Sequence, residues 1–225
     1  QKELVLKKVH FKTKPDVRGQ IRLKMTSELE GVAQGRVQAE GFTDPEFRHY
    51  GLGVELKGVG LLSESGIPLR EIDGKFQLSD RMIETAGATS LFHDWEIDWK
   101  GKIEDWQSEP KVTLHVEHEK DKFPFVFSTT MNFENHELSG LWTWLGRQYP
   151  FQGKVAKEGP KVLFTELALP HDYKGKGEFD RSSGDYRLEM TRDRRRFHVR
   201  SNFNRLEFYT DFQLDHASIN HLDWV

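Results

Sequence analysis

The sequence predicts an all-β protein built as one long antiparallel meander. Apolar and polar residues alternate in segment after segment, and a period of two sends successive side chains to opposite faces of a strand. Turn-forming stretches such as RSSGD at 181–185 separate these segments. A glycine followed by a polar and then an apolar residue also recurs, which favours a repeated strand-and-turn unit. Its copies begin at Gly35, Gly74, Gly101, Gly153 and Gly177.

The alternating segments run through the whole chain. The first residues, QKELVLKKVHF, and the last, LDHASINHLDWV, both read as strands. Since a chain usually begins and ends in frayed polar residues, we expect a segment excised from a longer polypeptide. Between the two ends, the predicted strands carry Ile21, Leu23 and Met25; Leu52, Val54 and Leu56; Phe76 and Leu78; Trp95, Ile97 and Trp99; Val112, Leu114 and Val116; Phe123, Phe125 and Phe127; and segments 162–169, 177–179, 186–190, 197–203 and 206–214.

One stretch departs from the alternation. In HELSGLWTWLGRQYP, apolar residues lie at helical spacing: Leu138, Leu141, Trp142 and Leu145. We therefore expect at most one short helix, near 138–147, between two repeat-like sections at about 1–135 and 136–225. Because no flexible linker separates these sections, residues 1–225 are predicted to form one continuous β structure.

Composition excludes several classes of function. The net charge of -3 gives no electrostatic case for nucleic acid, and the lack of cysteine removes disulfides and thiolate metal sites. No apolar run approaches the length of a membrane span. The ten histidines show no ligand spacing on one strand face, so neither a metal site nor another cofactor is expected. Ser182 and Ser183 lack a nucleophile elbow.

The stretch DWEIDWKGKIEDW at 94–106 raises an enzymatic alternative. Glu96 and Asp98 match the first two acids of the Glu-x-Asp-x-Glu strand in jelly-roll glucanases, but Lys100 replaces the third. Retaining hydrolysis needs a second carboxyl about 5 Å away to protonate the leaving oxygen, which a lysine charged at neutral pH does poorly. We therefore expect no enzyme, and a solvated outer face for these acids.

Aromatic and basic residues suggest two further interpretations. Trp95, Trp99 and Trp106 could stack on sugar rings, which keeps a carbohydrate-binding or carbohydrate-cleaving β-sandwich as the alternative function. Trp95 and Trp99 share a predicted strand face with Ile97, however, and this favours a core or groove lining.

The basic run at 192–200 holds Arg194, Arg195 and Arg196, which could contact an anion or a lipid head group, or simply keep a hairpin tip soluble.

Two long segments resemble the AsmA-like superfamily of bacterial envelope proteins. They are REIDGKFQLSDRMIETAGATSLFHDWEIDWKGKIEDWQSEPKVTLHVE and ELSGLWTWLGRQYPFQGKVAKEGPKVLFTELALPHDYKGKGEFDRSSGDYRLEM. With GVAQGRVQAEGF and DFQLDHASINHLDWV, the likeness covers most of the chain and rests on turn rhythm. The resemblance implies an elongated, taco-like groove with an apolar inner face. It also implies a role in moving phospholipid between the membranes of the envelope, with a membrane-anchored parent protein in the periplasm and other envelope proteins as partners.

The predicted groove lining is the apolar row of each strand. An acyl chain needs a continuous apolar path, because each buried methylene contributes about 0.8 kcal/mol. The lining residues are Ile21, Leu23, Leu52, Val54, Leu56, Phe76, Leu78, Trp95, Ile97, Trp99, Val112, Leu114, Val116, Phe125, Phe127, Leu188 and Met190. Two arrangements stay open: a groove that leaves a continuous lane, or two apolar faces closed into the dry core of a sandwich.

Overall fold

The described residues form a single antiparallel sheet. The computed structural model describes residues 4–15, 19–31, 33–46, 48–61, 69–92, 95–118, 124–193, 195–202, 207–214 and 217–219. Within these ranges seventeen strands form one sheet. Consecutive strands pair antiparallel, so β1 and β17 each pair on one side and the others on both. The predicted all-β meander is confirmed.

The strands succeed one another along the chain with short turns between them. They are β1 Leu4–Pro15, β2 Ile21–Gly31, β3 Ala33–Thr43, β4 Tyr50–Leu61, β5 Leu69–Ser79, β6 Met82–Phe92, β7 Trp95–Glu104, β8 Lys111–His118, β9 Phe125–Asn132, β10 Glu137–Trp144, β11 Arg147–Glu158, β12 Lys161–Leu169, β13 Tyr173–Asp180, β14 Asp185–Arg192, β15 Arg195–Asn202, β16 Glu207–Leu214 and β17 Ala217–Ile219. A single 3-10 turn, Pro170–Asp172, is the one helical element among the described residues.

The helix expected near 138–147 is a strand instead. Residues 137–144 form β10, which pairs with β9 on one side and β11 on the other. Leu145 and Gly146 both have positive φ, 48° and 77°, as the two central residues of a type I′ hairpin turn require. The helical spacing was misleading because Leu138, Trp142 and Trp144 also satisfy a period of two, and pairing on both edges favours the strand.

The strand register places the apolar side chains on one face of the sheet. Val116 lies opposite Trp99 on β7 and Phe127 on β9, and residues directly opposite one another share a face. The same reasoning extends from strand to strand through the pairings of β2 to β15. We call this surface the apolar face, and the opposite surface the polar face.

Cross-strand ion pairs cover the polar face. Examples are Lys24–Glu40 at 3.1 Å, Lys154–Glu166 at 2.7 Å and Lys176–Glu189 at 3.2 Å. On the same face, a hydrogen bond from Lys102 lowers the pKa of Glu104. Exposed pairs of this kind contribute about 0–1 kcal/mol each, so they keep the face soluble and discourage misregister more than they stabilise the fold.

Bulges interrupt the regular pairing of three neighbouring strands. Gly35, Gly58 and Glu71 have positive φ, 132°, 56° and 52°, at positions where the register of β3, β4 and β5 shifts. A buried cluster of Ala33, Val59 and Ile72 lies next to these bulges on the apolar face.

A second group of register shifts lies farther along the sheet. Glu166, with φ of 51°, stands at the shifts that join β11, β12 and β13. Beside it Phe133, Leu138, Val155 and Leu167 form the other buried cluster.

The sheet stays open between its two buried clusters. Ten apolar residues are buried in the described part of the chain, and all ten lie on the apolar face. The accessible surface is 15474 Å², whereas a compact monomer of this length would expose about 10,600 Å². A single layer with a half-buried apolar face explains both the small number of buried apolar residues and the large accessible surface. A filled sandwich core would bury more apolar residues and expose less surface.

We expect the close approach of strands at Gly140 to limit substitution. A Cβ there would meet the Phe151 ring and the Ser128 carbonyl oxygen. Gly140→Ala should therefore lower the free energy of unfolding by about 1–3 kcal/mol, measured by chemical denaturation. Gly87→Ala is the matched control, because a Cβ at Gly87 has nothing within 4 Å. Equal denaturation midpoints for the two variants would contradict the packing described for β10 and β11.

Candidate functional site

The candidate site is the apolar face itself. Every predicted lining residue, from Ile21 and Leu23 in β2 to Leu188 and Met190 in β14, lies on this face. Most of these side chains are only half-buried, since no second layer of described strands covers them. The register thus brings the predicted residues together, and their contact with lipid stays a prediction.

Rows of apolar side chains cross the strands and follow the long axis of the sheet. One row joins Trp99, Val116 and Phe127, and the next joins Leu114 to Gly101 and Thr129. Neighbouring strands are about 4.8 Å apart, so a row offers a new contact at that interval. The result is a lane of methyl groups and rings that runs from strand to strand. Charged side chains of this face, such as Arg147, Arg192 and Arg195, lie at the strand ends beside the lane.

Polar groups on the apolar face are satisfied locally. Ser27 donates to the Lys7 carbonyl at 2.9 Å, Thr85 to the Lys75 carbonyl at 2.9 Å, and Thr129 to the Ser139 carbonyl at 3.1 Å. Because these hydroxyls bond to the backbone, they add little polarity to the lane.

Two larger polar side chains of this face are neutral hydrogen-bonding groups. Burial raises the pKa of Tyr186, and its hydrogen bond with Ser201 opposes this shift. The phenol therefore stays protonated at neutral pH. Trp99 also lies on this face and donates its indole N–H to Ser90 at 3.1 Å. Neither group brings a charge into the lane.

Aromatic rings are concentrated where the lane meets one end of the strands. We define the aromatic lip as Trp95, Phe125, Trp142, Trp144 and Tyr149. Trp95 and Phe125 have ring centroids 5.9 Å apart, and Trp142 lies 5.9 Å from Trp144 and 6.3 Å from Tyr149. Trp95 is 44% exposed and Trp142 46% exposed. The lip is an apolar surface in contact with water.

His118 anchors the lip and is not placed as a metal ligand. Its side chain is buried, stacks on Trp95 at 5.5 Å, and donates from Nδ1 to the Glu96 carbonyl at 2.6 Å. His115 lies on the polar face, where it bonds to Ser128 at 2.6 Å. Among the described residues no group of three His, Cys, Asp or Glu side chains could hold a metal ion.

The carboxylates and the tryptophans of the carbohydrate alternative lie on opposite faces of the sheet. Glu96 and Asp98 are exposed on the polar face, as expected, while Trp95 and Trp99 lie on the apolar face. One sugar ring cannot contact both sets through the sheet.

A third acid on the polar face could not be found by reading along one strand. The register brings Glu117 opposite Asp98, and the Glu117 carboxylate lies 3.4 Å from the His115 ring.

Trp106, the third tryptophan of the carbohydrate alternative, is exposed in the turn after β7. It donates its indole N–H to the Ser79 carbonyl oxygen.

The basic run splits between the two faces. Arg195 lies opposite Arg192 on the apolar face, and Arg196 lies opposite Thr191 on the polar face. Arg194 lies outside the described residues. The Arg192 guanidinium is 5.7 Å from the centre of the Tyr173 ring, which places a cation beside an aromatic ring at the same strand ends as the lip.

A polar depression of about 320 Å³ lies on the polar face between β1 and β4. Two of its cations are already paired, Lys8 with Glu28 at 2.8 Å and Lys57 with Glu55 at 3.3 Å. Its charges therefore largely compensate each other.

No helix in the described ranges is long and apolar enough to cross a membrane.

An open apolar face should bind an environment-sensitive apolar dye in the native state. We expect strong dye fluorescence at zero denaturant that falls as the sheet unfolds. The measurement is a dye-fluorescence titration followed alongside circular dichroism. A signal that is absent in the native protein and appears only near the unfolding midpoint would instead indicate a closed core.

Comparisons of the chain with protein-family models, with curated proteins and with solved structures gave no match. Membership of the AsmA-like superfamily therefore stays a prediction from the strand and turn rhythm of the sequence.

Proposed function

We propose that this chain binds acyl chains on its apolar face and works, without catalysis, as part of an intermembrane phospholipid-transfer protein of the bacterial envelope. The observation that carries the proposal is the continuous, half-exposed apolar lane along a single-layer sheet. A soluble domain rarely exposes a large contiguous apolar surface unless that surface meets a ligand, a partner or a membrane.

The dimensions of the lane suit an extended hydrocarbon. An acyl chain laid along the sheet passes a new strand about every 4.8 Å. It meets side chains such as Val116 and Phe127 on successive strands. Each methylene moved from water to an apolar surface contributes about 0.8 kcal/mol at full burial. Several strands in succession thus supply the retention, and no single residue has to dominate.

A lipid that moves along the sheet needs similar apolar contacts on every strand. The lane presents apolar groups in every row and no ion pair that would have to break as a chain moves past. The ion pairs lie on the polar face, in contact with water. Phospholipid as cargo, a periplasmic location, a membrane-anchored parent protein and other envelope proteins as partners belong to the same proposal, and all of them rest on the family resemblance.

The test introduces the same charge on either face at adjacent positions. Leu114 is half-buried on the apolar face beside Gly101, while its neighbour Thr113 is exposed on the polar face. Leu114→Glu should reduce binding of a fluorescent long-chain fatty acid by about tenfold or more, because binding must desolvate the new carboxylate. Thr113→Glu, the matched control, should bind like the unmodified protein.

Folding is checked separately in both variants. Circular dichroism and the denaturation midpoint should show that each keeps its strands, since Gly101 leaves space next to position 114. Unchanged fatty-acid binding by a folded Leu114→Glu protein would exclude the apolar face as the binding site.

A further inference from the structure

The two ends of the strands form two edges of the sheet with different chemistry. At one edge β7, β9, β11, β13 and β15 begin and β6, β8, β10, β12 and β14 end. This edge carries the aromatic lip, and Tyr173 and Phe197 extend it with ring centroids 5.6 Å apart. At the opposite edge of the described sheet the turns hold more acids than arginines: Asp44, Glu46, Asp80, Asp105, Glu109, Glu134 and Asp180 against Arg48, Arg81 and Arg181.

The lip edge projects apolar groups into water. Leu145 is 56% exposed at the tip of the β10–β11 hairpin, and Trp142 on the same hairpin is 46% exposed. Leu145 also has φ of 48°, a conformation that asparagine adopts more readily than leucine. A leucine at this tip is more than half exposed and has an unfavourable backbone conformation, so an external contact would account for its apolar side chain.

Arginines share the edge and the face with these aromatic rings. Arg147 is exposed and lies opposite Trp144, and Arg195 lies opposite Arg192, next to Tyr173. Tryptophan and tyrosine rings favour the head-group level of a bilayer, where an apolar body and a polar tip are both satisfied. Guanidinium groups bind phosphates in a bidentate manner and are attracted to anionic lipid surfaces.

We propose that the lip edge, the aromatic lip together with Leu145, Arg147, Arg192 and Arg195, docks on the surface of a bilayer that contains anionic phospholipid. Charge complementarity favours this partner. The lip edge carries Arg147, Arg192 and Arg195 beside two acids, Asp172 and Asp193, and Asp193 lies 3.9 Å from Arg192. The turns of the opposite edge hold more acids than arginines and would be repelled by the same surface. This inference rests on the proposed function. With the lip edge on the bilayer, the lane opens at head-group level, where an acyl chain can leave the bilayer.

Vesicle co-sedimentation of the full chain tests the docking. The probes are vesicles of phosphatidylcholine alone and of phosphatidylcholine mixed with phosphatidylglycerol. We expect binding to the mixed vesicles that weakens as salt is added. Arg147→Glu should weaken it about fivefold or more, since one interfacial arginine contributes roughly that factor. Leu145→Asn should also weaken binding to the mixed vesicles, because the exposed apolar tip is lost.

Arg81→Glu is the matched control, because Arg81 is an exposed arginine in a turn at the opposite edge. It should bind vesicles like the unmodified protein. Equal losses for Arg81→Glu and Arg147→Glu would overturn the assignment to the lip edge, as would an unmodified protein that binds neither type of vesicle.

A parallel fatty-acid binding assay separates this inference from the proposed function. A protein that binds fatty acid but no vesicles refutes the docking edge alone. One that binds vesicles through Arg147 but no fatty acid refutes the acyl-chain lane alone.

Discussion

The strand register is the constraint on which the rest of the structure depends. Because side chains alternate along a strand, a slip of one residue between two strands would move a whole apolar row to the polar face. Opposite charges such as Lys24 and Glu40 face each other across strands and disfavour such a slip. Glycines add a steric restraint, since a Cβ at Gly140 would clash with Phe151 and Ser128. The one-sided apolar surface is the product of these local restraints, repeated strand after strand.

The bulges of this one-sided sheet coincide with its two buried clusters. The register shifts at Gly35, Gly58 and Glu166 lie next to two small buried clusters, and the apolar side chains between these clusters stay half-buried. Each strand contacts mainly its neighbours, so stability adds up locally, as in repeat proteins. A sheet of this kind can hold a ligand along its length without a closed core.

Much of the fold follows from periodicity, and the remainder depends on pairing. Alternation alone predicts the strands and assigns Trp95, Leu114 and Leu188 to the face they occupy. The helix predicted at 138–147 is wrong, because Leu138 and Trp142 satisfy both periods and only pairing with two neighbouring strands decides between them. Cross-strand relations such as Asp98 with Glu117, and the positions of the bulges, arise from the register, which no single segment encodes.

The polar face, the apolar lane and the lip edge have different proposed roles. In the proposed function the polar face contacts water, the apolar lane binds acyl chains, and the lip edge docks on a bilayer. Native mass spectrometry of the protein purified from bacterial cells, followed by solvent extraction and lipid analysis, tests the central claim most directly. The account predicts co-purifying phospholipid that is released only by denaturing solvent. A protein that repeatedly appears at its ligand-free mass, with no lipid in the extract, would contradict it.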